Sequence, residues 1–158
     1  MNKTKAKYLV AESDQRLDIV KELFMEYARS LEFNLGFQDF EEEIAEMPGH
    51  YGPPDGCILL ALYDDVPAGC VALRKLEKGI CEMKRLYVKP EFRGRGIGKR
   101  LSKMIIAEAK RIGYDKMRLD TLSSMTEANA IYRNLGFHDI EPYRYNPFNH
   151  AIFLEKDI

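Results

Sequence analysis

The sequence predicts an α/β fold, a mixed central sheet flanked by helices, in the order β-α-α-β-β-β-α-β-α-β-β. Three observations carry this. Apolar residues recur at helical spacing in 15–31 (Leu17, Val20, Leu23, Phe24, Tyr27, Leu31) and in 96–112 (Ile97, Leu101, Met104, Ile105, Ile112). Between these stretches lie short apolar runs bounded by Gly, Pro and Asp, which read as strands. A glycine-rich turn joins one such strand directly to the second helix.

Residues 7–11 form a first short strand, followed by the helix over 15–31 and a second helix over 38–46 after Gly36. The run 48–56, PGHYGPPDG, breaks regular structure and reads as a loop within the domain. CILLALY, 57–63, reads as a buried strand. Asp64 and Asp65 turn the chain into 66–73, which makes a hairpin. Gly79 opens a third strand, ICEMKRLYV, in which the pattern changes phase: Cys81 and Met83 are apolar at odd positions, Leu86 and Val88 at even ones. A regular strand keeps each face at period two, so a β-bulge near Lys84 and Arg85 is expected; a regular strand buried on both faces is the competing reading. Gly113 ends the helix over 96–112, and 117–121 is a strand. Ser124 and Glu127 stand at capping-box spacing before a helix carrying Ala128, Ile131, Tyr132 and Leu135. Strands over 137–141 and 151–155 close the order, separated by the aromatic, polar segment PYRYNPFNH.

The 158 residues suit one domain, 1–158, with a sizeable core. Twenty-four Lys plus Arg nearly balance 25 Asp plus Glu, which gives no general reason to expect nucleic acid binding. The balance hides an asymmetry: 12–65 carries fourteen acidic and three basic residues, 82–120 twelve basic and five acidic. A positive segment of this kind suits a polyanionic ligand, or is simply a solvated face. No stretch approaches the ~20 apolar residues that cross a bilayer, and no apolar signal segment follows the basic start, so a cytoplasmic protein is expected. Cys57, Cys70 and Cys81 form no CxxC pair, and His50, His138 and His150 are widely spaced, so no metal site is expected.

The strongest local signal is Arg93-Gly94-Arg95-Gly96-Ile97-Gly98 at a strand-to-helix junction. Glycines there permit positive φ and close backbone approach, and the open amides of a helix start donate hydrogen bonds to phosphate. Arg93, Arg95 and Lys99 add charge. Neither GxGxxG nor the P-loop pattern fits: the glycines alternate, and Gly98-Lys99 is followed by Arg100 rather than Ser or Thr.

At this point LYVKPEFRGRGIGKRL, 86–101, resembles the acetyl-coenzyme A binding motif of the Gcn5-related N-acetyltransferase (GNAT) superfamily, with Arg93, Gly96 and Gly98 matching its pattern. NAIYRNLGF, 129–137, resembles the family's second cofactor segment. The resemblance implies a GNAT-like sheet in which the strand over 79–88 and the one after the cofactor helix splay apart, with pantetheine in the opening. It implies cofactor contacts from Leu86, Tyr87, Val88, Arg93, Gly94, Arg95, Gly96, Ile97, Gly98, Lys99 and Asn129, and a backbone amide near Val88 polarising the thioester carbonyl. The implied reaction is acetyl transfer from acetyl-CoA to an amine by direct attack, without a metal.

Tyr132, where the family places a tyrosine near the thiol, is the expected general acid; core packing is its competing role. Glu82, which interrupts an apolar strand start where the family often places a glutamate, is the expected base; water or the amine's own neutral fraction would also serve. The family's early helices and late loop border the acceptor cleft, which nominates Tyr27, Arg29, Phe33, Tyr143 and Tyr145, with Arg29 or Arg144 able to hold a carboxylate. A small-molecule amine is the expected acceptor, a peptide amine the other option. A non-catalytic acyl-CoA sensor and an enzyme for a longer acyl group are the alternative functions.

Overall fold

A computed structural model describes residues 5–31, 37–146 and 150–158, with only the backbone of 37–39. The described elements are β1 (Ala6–Val10), α1 (Asp14–Ser30), α2 (Phe37–Glu46), β2 (Cys57–Tyr63), β3 (Val66–Glu77), β4 (Ile80–Val88), α3 (Ile97–Ile112), β5 (Lys116–Leu122), α4 (Thr126–Asn134), β6 (His138–Asp139) and β7 (Ala151–Asp157). This is the predicted order. The strands form one sheet, β1-β2-β3-β4-β5-β7-β6, antiparallel except where β4 runs parallel to β5.

The continuous apolar run of β2 follows from burial on both faces. Leu59 and Ala61 pack in the layer under α3, with Leu101, Ile105 and Met117; Ile58 and Leu60 pack under α1, with Val20, Leu23 and Phe24. The β2–β3 turn places both Asp64 and Asp65 at positive φ, 50° and 65°, the geometry that matches the twist of a two-residue hairpin.

The phase change in β4 is a bulge. Cys70 pairs with Tyr87 and Ala72 with Lys84, so three steps on β4 face two on β3. The extra residue includes Arg85 at φ +61°. Ahead of the bulge Cys81 and Met83 face the α3 layer; beyond it Leu86 and Val88 do, and Tyr87 turns to the α1 layer. β4 and β5 pair only from Ile80↔Lys116 to Glu82↔Arg118, although each strand continues further. From there the two strands diverge, leaving a wedge-shaped gap in the middle of the sheet.

One local expectation fails. α4 starts at Thr126 with Met125 as its N-cap and no side-chain capping bond, so the Ser124/Glu127 capping box does not form. Residues 124–128, at its start, instead line the cleft described next. Among the described residues no helix is long and apolar enough to cross a membrane.

Candidate active site

A cleft of about 820 Å³ runs along the gap, walled by β4 (Leu86, Tyr87, Val88), the 92–99 turn and the start of α4. α3 begins at Gly96, whose φ is +80° and which offers no side-chain cap, so the first amides of the helix keep their donors open. A Cβ at Gly96 would meet no atom within 4 Å; the backbone conformation is what requires glycine there. At Gly98 the reason is space: a Cβ would stand 3.2 Å from Ile131 Cδ1 and 3.5 Å from Val88 Cγ2, pressing α3 against the cleft's far wall. Two helix N-termini, of α3 and α4, therefore open on one cleft, an arrangement suited to a phosphorylated ligand.

The sequence-predicted residues divide. Leu86, Tyr87, Val88, Arg93, Gly94, Gly96, Ile97, Gly98 and Lys99 all line the cleft. Arg93 also ties the turn to the strand, Nε donating to the Val88 carbonyl at 2.9 Å. Arg95 points elsewhere: its guanidinium donates to Tyr63 Oη and lies 4.7 Å over that ring. Asn129 is occupied by β5, Nδ2 donating to the Leu122 carbonyl and Oδ1 accepting from Thr121, both at 2.9 Å. Its bonds hold the start of α4 against the strand that lines the gap.

A smaller cavity of about 100 Å³ adjoins the cleft, sharing Tyr27, Leu31, Leu86, Leu122, Met125 and Ala128 with it. It also reaches Tyr132, Lys84, Arg85, Asp120 and Asn146. Tyr132 is buried between this cavity and Phe137; burial raises its phenol's pKa, with Tyr27 and Asp120 adding to the rise, so it stays protonated.

Glu82 does not line either cavity. It is fully buried, and its carboxylate accepts from Arg74 Nε at 2.9 Å, from Tyr143 Oη at 2.6 Å, and from Arg144. Burial alone would raise its pKa; the Lys84 charge and the bonds from Arg144 and Tyr143 outweigh it and lower the value to about 2. Three donors thus occupy a carboxylate that offers about four acceptor positions. The segment after β6 folds back on the sheet and covers it with Tyr143 and Arg144.

Of the acceptor residues expected, Tyr27 lines both cavities. Tyr143 and Arg144 are engaged by Glu82, Arg29 is exposed at the end of α1, and Tyr145 is 86% exposed; none lines the cleft or the inner cavity. Phe33 lies outside the described residues. Lys84 and Asp120 are the residues sequence reasoning missed. Their signal was present, a charge in the interior of each of two central strands, but only the gap explains it.

The family model for the acetyltransferase (GNAT) family matches residues 17–137. An uncharacterised N-acetyltransferase of Schizosaccharomyces pombe is 40% identical over 146 residues, 91% of this chain and 90% of its own. One from Dictyostelium discoideum is 34% identical, over 93% of this chain and 96% of its own. In fold, the chain is similar to an N-acetyltransferase of Thermoplasma acidophilum solved in complex with coenzyme A, with a TM-score of 0.74 at 19% identity, covering 97% of this chain and 99% of that one.

Proposed function

We propose, for a chain that belongs to the acetyltransferase (GNAT) family and takes acetyl-CoA as its acyl donor, that the acceptor is the amine of a small molecule entering the inner cavity. The single observation that carries this reading is the gap: the opening between β4 and β5 joins a phosphate-suited cleft to a small polar cavity. Acetyl-CoA supplies a thioester whose C–S bond breaks as the N–C bond forms, one proton leaving nitrogen and one reaching sulfur.

The chain's own groups would act as follows. The open amides of Ile97, Gly98 and Lys99, with Arg93, hold the pyrophosphate. The backbone of Leu86 to Val88, beyond the bulge and unpaired on the β5 side, offers its N–H groups to pantetheine and to the carbonyl oxygen. Tyr132, kept protonated, gives its proton or a hydrogen bond to sulfur. Glu82 is a positioning residue: it fixes Tyr143 and Arg144 over the sheet beside the inner cavity. The carboxylate that lines the cavity is Asp120. A volume of about 100 Å³ favours a small amine over a peptide, since a 150 Å³ cavity is filled by a molecule the size of benzene.

The test is acetyl-CoA-dependent thiol release across a panel of small amines and peptide N-termini, with mass detection of products. A small amine gaining one acetyl group is the expected result; acetylation confined to peptides would overturn the reading.

A further inference from the structure

The inner cavity has a polarity that its size alone does not explain. Lys84 lines it with a side chain only 12% exposed. Its Nζ stands 3.6 Å from Asp120 Oδ1, an ion pair longer than a hydrogen bond. Among the described residues the ammonium makes no hydrogen bond and is not sealed from the cavity, so its N–H donors can meet a ligand or water there. The other cations nearby are already engaged: Arg85 by both oxygens of Glu43, at 2.9 Å each, and Arg74 and Arg144 by Glu82. Four cations, Arg74, Lys84, Arg85 and Arg144, thus meet three carboxylates, Glu43, Glu82 and Asp120, in three ion-paired groups of described residues that act on Lys84 through their charge. The surplus positive charge lies at Glu82, which two arginines meet; beside it stands the one-to-one pair of Asp120 and Lys84. Burial lowers the Lys84 pKa against the pull of Glu82 and Asp120, with Arg85 and Arg144 repelling it further, so an anion beside it would relieve a real cost.

Resting on the acetyl-transfer reading above, we propose that the acceptor is an amino acid, its carboxylate taken by Lys84 and its ammonium by Asp120. A zwitterion matches a cation and an anion 3.6 Å apart, whereas a polyamine would set a second positive charge beside Lys84. The neighbouring Asp120 Oδ2 accepts from Asn146 Nδ2 at 3.2 Å, which fixes the carboxylate facing the cavity. The ammonium must shed its proton before attack, and Asp120 or water beside it receives that proton.

The experiment compares amino acids with their own carboxamides, which keep the amine and lose the negative charge. With the whole protein and acetyl-CoA, kcat/KM for the preferred amino acid should exceed that of its carboxamide by about 10- to 100-fold, the scale of a charge-assisted hydrogen bond. Calorimetric binding of that amino acid, with coenzyme A present, should be lost in Lys84→Met and partly kept in Lys84→Arg. Coenzyme A binding by both variants reports an intact fold. Equal rates on acid and carboxamide in the unaltered protein, or a Lys84→Met enzyme that keeps the preference, would overturn this inference and leave acetyl transfer standing. Coenzyme A binding with no acetylated product from any amine would overturn both.

Discussion

The two ends of the gap are built by different means. The cofactor end is made of backbone: a left-handed Gly96, an uncapped helix start, and strand amides freed where β4 and β5 part. The end proposed for the acceptor is made of side chains, ion pairs drawn from α2, β3, β4, β5 and the segment after β6. Backbone donors need only local geometry, and they serve any phosphate. Side-chain charges need every partner in place, and they select. The difference teaches where tolerance to mutation and where specificity should lie.

The sharpest break is at Tyr132, which lines the inner cavity one helical turn beyond Ala128, a residue the two ends share. Tyr132→Phe removes the proton donor and leaves the ring against Phe137. We expect kcat to fall about 100-fold, with KM for acetyl-CoA nearly unchanged, in steady-state assays. A raised KM at unaltered kcat would instead assign Tyr132 to packing. Next, Gly98→Val adds atoms where a single Cβ already crowds Ile131. It should raise KM for acetyl-CoA at least tenfold and lower calorimetric coenzyme A affinity alike, while the amino acid over carboxamide preference survives. Loss of that preference would mean the ends are not separable.

The same division explains what the sequence disclosed. The cofactor end was legible because its determinants are contiguous: the glycines of 94–98 specify the turn, and the Cys81/Met83 to Leu86/Val88 phase change marks the bulge within eight residues. The acceptor end was not, because Glu82 meets Tyr143 and Arg144 across about sixty residues of chain. No spacing rule links them. A glutamate in an apolar strand reads equally as a base or as a buried counter-ion, and only its partners decide. The partners of Asn129 were hidden for the same reason: one turn from Tyr132 on a helix, it is bound by Thr121 and Leu122 of the preceding strand.

Glu82→Gln tests the acceptor end as a network. A carboxyl held near 2 against an ordinary 4.5 contributes about 3 kcal/mol of stability at neutral pH. The sign follows from the direction of the shift: the contribution is complete above pH 4.5 and fades as pH falls toward 2. In denaturant titrations the gap between unaltered and Glu82→Gln protein should therefore be widest near pH 7 and narrow on acidification. The variant frees Arg144 and loosens the segment over the cavity, so KM for the acceptor should rise several-fold, with kcat held within about threefold. A collapse of kcat with a new acid limb in its pH profile would restore Glu82 as the base.

The smallest effect is expected from Arg93→Ala. Arg93 is exposed, so its charge acts on phosphate through water, and its Nε bond to Val88 is one of several restraints on the turn. KM for acetyl-CoA should rise about threefold at low ionic strength. That difference should shrink between 0.02 and about 0.5 M salt, as the Debye length falls below the separation of the charges. The acceptor preference should not move, because no charge of the inner cavity touches Arg93. A salt-independent loss would mean the bond to Val88, rather than the charge, is what Arg93 contributes, and would move it from electrostatics to the geometry of the strand that frees the amides.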